Sequence, residues 1–125
     1  MMTSFETKNA RIFPSWSLLC EVKDMKKVRI TVICRAEHKE LMEKYENPLE
    51  NPCEMTVGDV FISENATKPD GMCSVAWGCM YEFVKTLAEG GGNFFDGWMK
   101  DPYSAMVSCN DGFRPVTYYI EAINE

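Results

Sequence analysis

Six cysteines, Cys20, Cys34, Cys53, Cys73, Cys79 and Cys109, are the residues of this chain best suited to chemistry. As thiolates they are nucleophiles, soft-metal ligands and redox centres. Their spacing contains no C-x-x-C, so the usual zinc-ribbon, ferredoxin and thioredoxin signatures are missing. A free cysteine is also among the most commonly buried residues and then behaves as a small hydrophobe. Cys34, inside a strand pattern, and Cys79, on a helical apolar stripe, are read as core, and Cys20 is left unassigned. Cys53, Cys73 and Cys109 each fall where a loop meets a regular element, so their side chains can meet at one end of a sheet. Cys73 opens the strongest helix of the chain, and a helix N-terminus favours a thiolate.

Other relays are poorly supplied. His38 is the only histidine and lies among charged residues, which marks a solvated side chain and removes the base that a Cys-His or Ser-His-Asp arrangement needs. Asp111 and Arg114 follow Cys109 closely. An arginine there could hold an anion or a thiolate, but a turn aspartate and a salt-bridged strand arginine account for the same residues. Gly90-Gly91-Gly92 ends a helix instead of beginning one and lacks a following Lys-Ser/Thr, so it is a helix stop and not a phosphate cradle.

The elements that must position these residues follow from periodicity. Lys27–Arg35 alternates Val28, Ile30 and Val32 with polar residues, the pattern of a strand with one buried face. Residues 36–46 read as a short helix stopped by Asn47-Pro48, and 56–63 as a second strand. From Ser74, the expected N-cap, Ala76, Cys79, Met80, Phe83, Val84 and Leu87 form one apolar stripe that stops at Gly90. Residues 93–102 form an aromatic loop with Phe94, Phe95 and Trp98, which should cover something. Residues 105–109 and 115–123 read as a closing hairpin. The expected fold is α+β: a small, mostly antiparallel sheet with two helices packed on one face. Its core is expected to hold Val28, Ile30, Val32, Phe61, Ala76, Phe83, Val84, Leu87, Val116, Tyr118 and Ile120.

With 125 residues and 46% hydrophobic composition the chain suits one core, read as an N-terminal extension over residues 1–25 and one domain over 26–125. The net charge of -6 and the scattered basic residues argue against nucleic acid. No apolar run approaches the roughly 20 residues of a membrane span or the 7–15 of a signal-peptide core, so a cytoplasmic protein with reduced thiols is expected. A homo-oligomer, most simply a dimer, is expected from exposed aromatics and a free hairpin edge.

Gly71-Met72-Cys73-Ser74-Val75-Ala76-Trp77, Gly91-Gly92, Trp98 and Cys109-Asn110-Asp111-Gly112-Phe113-Arg114-Pro115-Val116 resemble a family of short bacterial and archaeal proteins that has no established activity. Cys53 with Gly58-Asp59-Val60-Phe61 fits a further element of its pattern, and the likeness spans about residues 26–123. Glu54 replaces a frequent proline, and Ser108 stands where a second cysteine is common. The resemblance implies that Cys53, Cys73 and Cys109 belong together, with Asp111, Arg114, Trp77 and Trp98 around them. Three such thiols could hold zinc or iron with one open position, or bind an electrophilic ligand. The alternatives are an accessory subunit whose aromatic loop meets a protein partner and, third, a cysteine-dependent enzyme.

Overall fold

The computed structural model describes residues 25–48 and 53–124. Residues 1–24 of the extension, Cys20 among them, the centre of the Asn-Pro loop and the last residue lie outside the described residues. Among the described residues four strands and two helices follow in the order β1 (Lys27–Arg35), α1 (Lys39–Tyr45), β2 (Val60–Ser63), α2 (Ser74–Ala88), β3 (Ser104–Ser108) and β4 (Val116–Ile123). The strands form one antiparallel sheet in the order β2-β1-β4-β3. The fold is α+β, as the element pattern predicts.

Period-two alternation makes one face of this sheet the core. Val28, Ile30 and Val32 of β1 and Val116, Tyr118 and Ile120 of β4 are fully buried or nearly so. Register joins these rows: Ile30 lies between Phe61 and Ile120, and Tyr118 lies between Val32 and Val107. Residues directly opposite one another share a face, so a single apolar layer crosses all four strands. Phe61 and Phe83, expected inside it, are partly buried and pack against it. The second strand is shorter than its composition suggests. Thr56–Asp59 closes into a turn instead, in which the Asp59 carboxylate accepts the Thr56 N–H at 3.0 Å and Gly58 takes φ +99.

α2 supplies the cover, placing Ala76, Met80, Val84, Leu87 and Ala88 on the sheet. Its end is a Schellman motif. Gly90, at φ +94, donates its N–H to Leu87 O, and Gly91 donates to Thr86 O. The cap at the other end is Cys73 and not Ser74: Cys73 keeps extended backbone (φ -61, ψ 128), and helical geometry begins at Ser74. α1 buries none of its residues. It is held at its two ends, where the His38 N–H donates to Phe113 O at 2.9 Å and Arg114 pairs with Glu46 at 2.7 Å. Among the described residues no helix is long and apolar enough to cross a membrane.

Candidate functional site

The decisive local feature is an irregularity in β1. Val32 pairs with Tyr118, but the register then shifts, so that Cys34 pairs with Thr117 and Arg35 with Val116. Ile33 is the extra residue, and a bulge of this kind reverses the alternation beyond it. Cys34, expected in the core, is therefore exposed. Arg35, not Cys34, is the residue opposite the buried Val116, although it stays exposed itself. Its guanidinium donates to Met55 O at 2.7 Å and to Cys53 O at 3.1 Å, which ties the Cys53 loop to the end of the sheet.

Cys109 reaches the same end from β3. Its N–H donates to Val116 O at 3.0 Å, and its Sγ accepts the Val116 N–H at 3.3 Å. Cys73 arrives from the third side as the α2 cap. Its carbonyl accepts the Trp77 N–H at 3.0 Å, and no side chain caps the first turn. Cys53, Cys73 and Cys109 are all partly buried and all pack against the core cluster.

Tyr118 links them. Its residue is fully buried, and its hydroxyl has no hydrogen-bond partner among the described residues. Burial drives the Tyr118 proton affinity far above the ordinary tyrosine range; the charges of Cys53, Cys73 and Cys109 push in the same direction, and Arg35 opposes them. An unpaired buried hydroxyl forfeits its hydration, typically about 1–3 kcal/mol, and for that reason is uncommon.

The remaining candidates are placed differently. Asp111 is a turn residue whose Oδ1 accepts the Phe113 N–H at 2.8 Å and the Arg114 N–H at 3.2 Å. Arg114 turns to Glu46 and anchors α1. Trp77 lies one turn beyond Cys73, partly buried, with its ring 5.7 Å from that of Tyr81. Trp98, expected near the thiols, packs with Phe83 and Phe95 instead, because its loop folds back on α2 ten residues past Cys73. His38 is exposed, as its charged neighbours predict, and Cys79 is partly buried. No group of three or more His, Cys, Asp or Glu side chains among the described residues is placed to hold a metal ion.

Sequence reasoning missed two participants. Tyr118 is legible as core, but the need of its hydroxyl for a partner is not. Arg35 carries a faint signal: the adjacent apolar pair Val32-Ile33 interrupts the alternation where the bulge occurs. Comparison with known proteins finds no matching family model, no matching curated protein and no matching solved structure. The motif resemblance therefore rests on its own residues.

Proposed function

We propose that Cys53, Cys73 and Cys109 form a thiol site for a small electrophilic ligand at the end of the sheet. The observation that carries this reading is the fully buried hydroxyl of Tyr118, which has no partner among the described residues, while Cys53, Cys73 and Cys109 all pack against the same core. A buried polar group without a partner calls for an explanation, and a ligand that accepts its hydrogen bond is one. The absence of a described donor group arranged around a common metal position favours a covalent or thiol-exchanging ligand over zinc or iron.

In chemical terms, one sulfur bonds to the electrophilic atom and displaces a leaving group, which departs with the thiol proton, while the phenol keeps its own proton and can donate a hydrogen bond. A second nearby thiol can then complete a bridge. A trivalent organic arsenical tests this directly, because it condenses with two neighbouring thiols and releases water. One equivalent of phenylarsine oxide should block two of Cys53, Cys73 and Cys109 while leaving Cys34 and Cys79 open to iodoacetamide, as read by peptide mass spectrometry. Equal loss of label over all the cysteines, or arsenical uptake undiminished by Cys73→Ser and Cys109→Ser together, would overturn the reading.

A further inference from the structure

The loop after α2 spends backbone strain to keep apolar rings in water. Asn93, Phe95 and Asp96 all have positive φ, at 55°, 53° and 50°, a region that L-residues with side chains disfavour. Gly97 follows at φ +95. The conformation is braced from within. Asn93 donates its N–H to Pro102 O at 2.6 Å, its Oδ1 accepts the Gly97 N–H at 2.9 Å, and its carbonyl accepts the Asp96 N–H at 3.1 Å. Such bracing is what holds strained backbone in place.

The product is an aromatic platform. Phe94 packs edge-on against Phe83 at 4.8 Å, which fixes the base. Above it Phe95 and Trp98 stand edge to face at 5.1 Å, and they remain 76% and 43% exposed. Small-molecule sites enclose most of their ligand, whereas a ring this exposed can cover only one side of whatever meets it. A chain segment lying across the platform suits that shape.

Charge selects the segment. The stretch that builds the platform carries Glu82, Glu89, Asp96 and Asp101 against Lys85 and Lys100, all exposed, and the whole chain is acidic at -6. A second copy of this chain would bring like charge to the patch. A guanidinium gains both from the ring faces and from the carboxylates, and it stacks flat on aromatic surfaces. We propose that Phe95 and Trp98 form a docking surface for an arginine-bearing segment of a basic protein partner, with Asp96 as the counter-charge.

The test uses the full chain and a fluorescent peptide of alternating arginine and glycine, read by anisotropy. Binding should weaken about tenfold in Phe95→Ala and severalfold in Trp98→Leu, Asp96→Asn or raised salt, and a glutamate-glycine peptide should not bind. Phe95 is mostly exposed, so its variant should melt as the wild type does. Absence of binding, or binding that Phe95→Ala leaves unchanged, overturns the proposal. So does a dimer in light scattering that Phe95→Ala dissolves, which would assign the patch to a second copy.

Discussion

At the first turn of α2, Cys73 packs against the core as the helix cap; about 15 Å further along the same helix, Phe83 carries a cluster whose outer rings stand in water. The two regions depart from ordinary burial in opposite senses. One withdraws the hydroxyl of Tyr118 from solvent without giving it a partner among the described residues, and the other holds Phe95 out on positive-φ backbone. Both are locally unfavourable, and both are supported by the unbroken apolar row Ala76, Met80, Val84 and Leu87 between them. A well-packed middle thus separates two unusual ends.

The largest expected effect should fall on neither end. Met80, fully buried midway along α2, touches the layer that supports both, so Met80→Ala should cost about 2–5 kcal/mol in denaturant unfolding. A cost well under that range would mean that the two ends are not held by a common core. Next comes the route into the aromatic loop. A Cβ on Gly92 would collide with the carbonyl oxygen of Pro102, so Gly92→Ala should cost about 1–3 kcal/mol. The same variant should leave arsenical uptake intact, since the collision is confined to the far end. Loss of thiol pairing in Gly92→Ala would break the separation between the regions.

Tyr118→Phe gives the smallest effect and the sharpest sign. Removing an unpaired buried hydroxyl should leave stability unchanged or raise it by about 1 kcal/mol at neutral pH. A loss of stability would show that the hydroxyl has a partner after all. The pH dependence follows from linkage. Folding raises the affinity of Tyr118 for its proton above the ordinary value of 10.0, chiefly by burial and further by the three thiols. Its contribution is complete below that pH. Above it the unfolded chain releases the proton while the folded chain keeps it, so stability falls as pH rises, by about 1.4 kcal/mol per pH unit for one proton. Urea unfolding across this alkaline range should show a shallower decline in Tyr118→Phe than in the wild type.

Much of this was written in local pattern. The alternation of Val28, Ile30 and Val32, the stripe from Ala76 to Leu87 and the stop at Gly90 depend on near neighbours and on the two periods of regular backbone, so the main strands, the long helix and the central part of the core were legible there, while Met55, Met72 and Ala105, which lie outside those periodic runs, were not. Aromatic residues in the 93–102 loop were equally visible, but not that Phe95 would face water. Three outcomes were decided only by tertiary structure. The strand order β2-β1-β4-β3 brings the first and last strands together at the centre; the bulge at Ile33 takes Cys34 out of the core row and sets Arg35 opposite Val116, from where it reaches the Met55 and Cys53 carbonyls; and the same register buries the hydroxyl of Tyr118 with no partner among the described residues. Each depends on pairing between residues tens of positions apart, and a one-residue slip reverses every face, so local periodicity carries no record of it.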